Sequence, residues 1–424
     1  MLDAFPKTFL WGATLHSHCV EGEHYDSDWW HWEQRPGHIT DDSTSQHGAD
    51  HWNQFAEDIR LASEYGMNSL LITLEWSRIQ PEADTFDKKS LRHYTKVFET
   101  CQKHGIRPIC ALQHVTLPRW MAIDGGWLNA KSAEWFSTYT ERVMEAIGGL
   151  CDLWIPLHEA MHGLVQGYQL GKWPPQQRSM RMLERAMQGQ VVAYAASSAV
   201  IKRANPGAEV GWSTRAADYV PLNPYSAWDA RVACREEQRS NREMLESLTK
   251  SVDAATIDFL GISFFGRRSV SMDWRASGAG FARYGEEKDA HFEYSACPEG
   301  FGKALAEFGA YGKKLYVLGN GCPHRSDAEQ CGYLLDHVEG VREAMEKGID
   351  VRGYMVHSLL NGFEWERGFE PKYGLMVVDR KRMTRTPNSI ALLYKELCET
   401  GEVRAGTISK FCPDRAGLMK GTLS

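Results

Sequence analysis

Short apolar runs alternate along this chain with stretches whose apolar residues recur every three or four positions. Phe9-Leu10-Trp11-Gly12 reads as a first strand. Asp50 is placed to cap a helix carrying Phe55, Ile59 and Ala62 on one face, and Gly66 to stop it. Residues Ser69 to Trp76 follow as an apolar strand. Ser90 opens a helix with Leu91, Tyr94, Phe98 and Cys101 on one face and Gly105 after it. Further strands are expected at Ile106 to Leu112, Cys151 to Leu157, Ala208 to Ser213, Phe259 to Phe265, Leu315 to Leu318 and Gly353 to Leu360. Ser326 opens a long helix that Gly348 ends.

Strands separated by helical patterns, at roughly 50 residues per unit, predict one α/β domain: a single (β/α)8 TIM barrel with long βα loops. The barrel is expected over residues 1 to 400, with 401 to 424 as a C-terminal tail. Two stacked dinucleotide-binding domains are the alternative, but no GxGxxG follows a strand. The Arg- and Glu-rich stretch from Leu222 to Lys250 reads as a solvated charged helix, with a lid or a contact surface as the alternatives.

Composition narrows the class. The formal charge is −7, from 48 basic and 55 acidic residues, which argues against a nucleic-acid partner. No apolar run approaches membrane-spanning length, so no membrane partner is expected. The start, Met1 to Lys7, lacks a basic segment followed by an apolar one, and the ten cysteines have no CxxC pair. Both features predict free thiols in the cytoplasm. The 15 tryptophans serve cores, but Trp also stacks on the C–H faces of sugars.

In such a barrel chemistry sits at the carboxyl ends of the strands. Leu153 to Leu157 runs straight into His158-Glu159, which makes Glu159 a candidate general acid/base. Other polar groups at strand ends are His18 and Cys19, Gln113-His114 with Trp120 beyond, and His357 with Glu364 and Trp365.

Taken in order, these stretches resemble glycoside hydrolase family 1, the β-glucosidase-like family. The resemblance rests on Phe9-Leu10-Trp11-Gly12-Ala13, Glu21-Gly22, Glu75-Trp76-Ser77-Arg78-Ile79, Leu117-Pro118-Arg119-Trp120 and Gly125-Gly126-Trp127-Leu128-Asn129. It continues through Asp258 to Ile262, Asn320-Gly321 and Gly353-Tyr354 to Phe363-Glu364-Trp365, and covers residues 5 to about 390. It implies a glycoside hydrolase acting on β-glucosides or β-galactosides, with two carboxylates about 5.5 Å apart in the retaining form. Glu159 matches the acid/base. His114, Trp120, Glu364 and Trp365 match residues that hold the sugar.

The family's nucleophile does not survive: Gly319 occupies its place. Its supporting Arg is Leu71, and the Asn-Tyr-Tyr of the sixth strand is Ser263-Phe264-Phe265. The Asn before the acid/base is His158, the sugar-binding Gln is Cys19, and the Trp that floors the sugar site is His357. Loss of the nucleophile together with its cationic partner is the pattern of a naturally rebuilt site, since a lone buried Arg would be an unpaired charge. The competing reading is an engineered, nucleophile-less glycosynthase.

The mechanism then divides into alternatives. Glu159 acts with a water activated by His324, Glu366 or His357, giving inversion. The strand-end histidines His18, His114, His158, His324 and His357 hold a divalent metal such as zinc, with Cys19 and Glu364 nearby; otherwise no cofactor is expected. The chain is a silent carbohydrate-binding pseudoenzyme. The substrate brings its own acetamido nucleophile. His158-Glu159-Ala160-Met161-His162 spells HExxH, but a strand ending at His158 denies both imidazoles one helical face. The expected partner is a small-molecule or oligosaccharide β-glycoside.

Overall fold

The computed structural model describes residues 4–251, 257–272, 282–285, 296–323 and 326–413. Its centre is a closed ring of parallel strands: β1 (Leu10–Leu15), β2 (Ser69–Thr73), β3 (Arg107–His114), β4 (Leu153–His158), β5 (Glu209–Pro221) and β6 (Phe259–Met272), then β8 (Lys314–Asn320) and β9 (Val351–Val356). A short strand β7 (Ala282–Tyr284) runs antiparallel along the end of β6. The ring follows chain order, β6 pairs with both β5 and β8, and β9 closes it against β1. This is the expected eight-stranded (β/α)8 barrel.

Helices that include His51–Glu64, Lys88–Lys103, Ser132–Ile147, Met180–Ala204 and Asp327–Glu346 lie between successive strands. Their apolar faces and the outward residues of the strands, such as Trp11, Leu70, Ile72 and Trp154, form one large core. A second, separate apolar group comprises Leu10, Leu71, Ile109, Ala111, Leu153, Ile155, Phe259, Tyr316, Leu318 and Met355. It draws on seven of the eight barrel strands, so it is the packed interior of the barrel. Strand residues nearer the carboxyl ends turn polar while remaining buried: Thr14, Thr73, Gln113, His158, Ser213, Ser263 and Asn320. Gly12 shows how tightly β1 and β2 approach. A Cβ there would stand 2.3 Å from the Ser69 carbonyl oxygen.

Two helix starts differ from expectation. Asp50 precedes its helix, but its carboxylate binds the side chains of Asn53 and Gln54 and caps no backbone N–H. The next helix begins at Lys88, because Asp87 accepts from the backbone N–H groups of Lys89 and Ser90. Ser326 does cap Asp327–Glu346, accepting from Glu329 N. The Leu222 to Lys250 stretch is helical but not simply solvated. Glu236, Arg239 and Asn241 are buried there, Arg239 Nη1 lies 2.6 Å from Glu236 Oε1, and Gln169 Nε2 donates to the same carboxylate. Beyond residue 400, the helix Ala405–Phe411 packs Ile408 onto the main core. No helix among the described residues is long and apolar enough to cross a membrane.

Candidate active site

Four imidazoles meet at the carboxyl end of the barrel. His114 and His158 are the last residues of β3 and β4 and pair in register. His16 directly follows β1, and His357 directly follows β9. The His16 ring lies 4.3 Å from that of His114, 5.3 Å from His158 and 5.4 Å from His357, and all four are buried. Strand pairing fixes these positions, so the cluster is a property of the barrel and not of a mobile loop.

Glu159 follows β4 in the left-handed region, φ 50°, a conformation that carries strain in a non-glycine residue. Its carboxylate is sealed from solvent. Arg215 Nε lies 2.8 Å from Oε2, His114 Nε2 3.5 Å from Oε2, and His158 Nε2 3.8 Å from Oε1. Burial alone raises a carboxyl's pKa, but Arg215 and the two imidazoles outweigh it and hold Glu159 well below the usual carboxylate range. Burial lowers His16 and His114 and drives His158 down to about 3, which favours the neutral form of each ring. The partners of Glu159 favour its ionised form, the form in which an acid/base residue accepts a proton.

A small polar pocket of about 50 Å³ lies beside the imidazoles, lined by residues including Trp173, Arg215, Phe265, His357, Glu364 and Trp365. His357 Nε2 stands 3.4 Å from Glu364 Oε2, and its Nδ1 is 3.0 Å from Thr14 Oγ1. The Arg215 guanidinium lies over the Phe265 ring at 4.5 Å. Trp365 stacks nearly parallel on His18, centroids 5.5 Å apart, and meets His114 edge-on at 5.4 Å. Cys19 is buried, and burial, together with Glu364, raises its thiol well above the ordinary value. On another flank, a larger and mostly apolar cavity of about 320 Å³ is lined by Gln113, Val115, Trp127, Tyr168 and Gln190, with Glu159 in its wall.

Gly319 lies on β8 in register with Ser263 on β6. A Cβ at 319 would stand 3.1 Å from Ser263 Oγ, 3.3 Å from Ser263 Cβ and 3.9 Å from the Phe265 ring. The place of the missing carboxylate is therefore partly filled by the Ser263 side chain. Leu71 is fully buried in the apolar barrel interior.

Most of the residues singled out from the sequence converge here: His18, Cys19, His114, His158, Glu159, Gly319, His357, Glu364 and Trp365. Trp120 does not. Its Nε1 donates to the Gln80 carbonyl at 2.9 Å, and its ring packs edge-on against Trp135. Glu366 is engaged as an acceptor, 2.7 Å from Trp173 Nε1. His324 lies outside the described residues. His158 ends a strand and Glu159 breaks the chain direction before the helix Ala160–Leu164, so the HExxH spelling does not place both imidazoles on one helix.

Three residues of the site escaped sequence reasoning. His16 sat in the same His16-Ser17-His18 stretch that drew attention to His18. Arg215 lies past the expected end of β5, which continues to Pro221. Ser213 is 2.9 Å from His158 Nδ1 and accepts from Glu159 N, a role no local pattern announces.

Comparison with known proteins agrees with this architecture. The model of glycosyl hydrolase family 1 matches residues 1–257 and 243–403. β-Glucosidase A of Thermotoga maritima is 26% identical, over 93% of this chain and 97% of that protein. The 6-phospho-β-galactosidase of Clostridium acetobutylicum is 24% identical, over 93% and 97%. The solved β-glycosidase from Pyrococcus horikoshii superposes with a TM-score of 0.88 at 26% identity, over 97% of this chain and 99% of that one. With a family match running nearly end to end and a barrel that carries the family's landmarks in order, the chain belongs to glycosyl hydrolase family 1.

Proposed function

We propose that this protein processes β-linked glycosides by a route other than the family's double displacement, with Glu159 working as an anion. One observation carries the reading. Glu159 stands in the wall of the 320 Å³ cavity, and its partner Arg215 lines the polar pocket that also holds Glu364 and Trp365. A ligand spanning the two spaces passes the carboxylate. From that position an ionised Glu159 stabilises the positive charge that develops at the anomeric carbon, while a water attacks from the opposite face, the side of Gly319, and releases its proton to solvent as the leaving group departs. Gly319 offers no atom for a covalent intermediate, so inversion is the expected stereochemistry.

Several features support a naturally rebuilt site over a single engineered change. Ser263 packs against Gly319, Leu71 completes an apolar layer, and Phe265 stacks under Arg215. The relatives named as β-glucosidase and 6-phospho-β-galactosidase support a hexoside substrate. Ten free cysteines, seven of them buried, fit a cytoplasmic location.

A second reading is favoured by one specific observation. The pocket beside Glu364 and Trp365, about 50 Å³, is too small for a pyranose without side-chain movement. A carbohydrate-binding protein that no longer turns over would tolerate such closure.

The test is turnover of aryl β-glucosides, β-galactosides and their 6-phosphates with nitrophenolate leaving groups, which need no acid. The expected result is slow cleavage with inverted anomeric product by NMR, abolished in Glu159→Gln. Retained sugar binding without cleavage would establish the binding protein instead. Cleavage unaffected by Glu159→Gln would remove Glu159 from the chemistry.

A further inference from the structure

We propose that His16, His114 and His158 form a binding site for one divalent transition-metal ion, zinc by its donor set, with the fourth position left to a water. One ring nitrogen from each of the three buried imidazoles lies within 4.8 Å of the others. His16 Nδ1 and His158 Nε2 are buried without a hydrogen-bond partner, and His114 Nε2 faces only the Glu159 carboxylate, at 3.5 Å. Buried polar atoms almost always have a partner. Ring nitrogens of this kind on three mutually packed imidazoles, at the ends of three barrel strands, are explained together by a cation between them.

Zinc binds imidazole nitrogen at about 2.0–2.1 Å, which sets tetrahedral nitrogens about 3.3 Å apart. Nitrogens within 4.8 Å of one another reach that spacing by closing by up to about 1.5 Å. Ser213 Oγ engages His158 Nδ1 at 2.9 Å, which leaves Nε2 to face the ion, as the outer partners of metal-binding histidines do. His357 is excluded as a ligand because both its nitrogens face other partners, Thr14 and Glu364.

A second histidine group shows the contrast. His18, His24 and Glu75 also lie close together. There His24 Nε2 bonds the Ser17 carbonyl, the Arg78 guanidinium lies 3.3 Å from His24 Nδ1, and Glu75 accepts from Ser77 and Thr116. There only His18 Nδ1 lacks a partner, His18 Nε2 faces Glu33 at 3.3 Å, and Arg78 already supplies a cation.

The proposal is independent of any glycoside turnover, and its test reads the metal directly. The full chain is stripped with dipicolinate, incubated with zinc or cobalt(II), desalted and measured by elemental analysis and visible absorption. The expected result is one ion per chain, with cobalt showing the intense d–d bands of a four-coordinate, imidazole-rich site. His16→Ala and the bulkier His16→Gln lose more than about tenfold in zinc affinity with unchanged thermal melting, while His24→Ala retains the ion. No retained ion, a cobalt spectrum of the hexaaqua type, or equal uptake by the folded His16 variants overturns the proposal. The cobalt spectrum of the unaltered chain decides the matter even where a variant does not fold.

Discussion

Arg215 Nε lies 2.8 Å from Glu159 Oε2, and the two side chains are 10% and 1% exposed. A buried pair of this kind contributes little when compared with an apolar pair, but removing one partner strands a charge. Arg215→Met is expected to destabilise the fold by about 3–5 kcal/mol. The double variant Arg215→Met/Glu159→Gln should recover a large part of that loss. Urea unfolding of the four proteins in the cycle measures it. Equal destabilisation of single and double variants would show that Arg215 acts through its packing on Phe265 and not through the carboxylate.

Restoring the family's carboxylate at position 319 should not restore retaining hydrolysis. A side chain there meets Ser263 Oγ and Cβ at 3.1 and 3.3 Å from its first carbon alone. Overpacking of this sort costs about 1–3 kcal/mol. The charge of Gly319→Glu adds desolvation, because Leu71 and Phe265 supply neither the cation nor the phenol that would pair with it. Gly319→Ala is expected to lower thermal stability modestly and Gly319→Glu more, with Ser263→Gly relieving the steric part only. Retained-configuration product from Gly319→Glu alone, seen by NMR, would contradict this.

The barrel and much of its mouth were legible in the sequence because both depend on local order. Apolar runs at regular spacing gave each strand, and residues directly after a run, such as Glu159 and His357, land at the mouth by geometry. Contacts between distant strands were not legible. Arg215 reaches Glu159 across 56 residues because β5 runs beyond its apolar segment, and Ser213 is an ordinary strand serine until His158 lies beside it. Trp120 matched a sugar-binding position by motif, yet its indole N–H is committed to the Gln80 carbonyl. Asp50 looked like a helix cap and serves its neighbours' side chains instead. In each case the decisive partner lies outside the pattern being read.

Glu21 predicts a pH dependence of stability. Burial raises its pKa from 4.5 to about 7, although Arg78 and a hydrogen bond from Tyr94 pull the other way. Between those two values the folded chain keeps a proton on Glu21 that the unfolded chain has released. The resulting contribution is complete below the unfolded value and is lost as pH rises through about 7. It amounts to roughly 3 kcal/mol at most, at 1.36 kcal/mol per pH unit. Glu21→Gln keeps an acceptor for Tyr94 and removes the titration, so its unfolding free energy should fall less steeply from pH 4.5 to 7 than that of the unaltered protein. Parallel pH profiles of the two proteins would place the titration elsewhere.

Glu364 tests whether the surviving clamp still holds a ring. It lines the polar pocket beside Trp365, and its Oε2 is 3.4 Å from His357 Nε2. In the sugar-holding role that the family resemblance implies, and with the side-chain movement a pyranose needs there, Glu364 would accept hydrogen bonds from ring hydroxyls, and bonds to a charged group are worth about 1.5–3 kcal/mol each. Glu364→Gln keeps the shape and exchanges one acceptor oxygen for a donor. Its expected effect is a weakening of monosaccharide or glycoside binding by about ten- to a hundredfold, with thermal stability nearly unchanged. Titration calorimetry with a panel of hexoses reads it without any requirement for turnover. Should affinity stay the same while Glu159→Gln alters it, the ring lies in the larger apolar cavity against Trp127 and Tyr168, and the polar pocket is only a remnant of the family's sugar site.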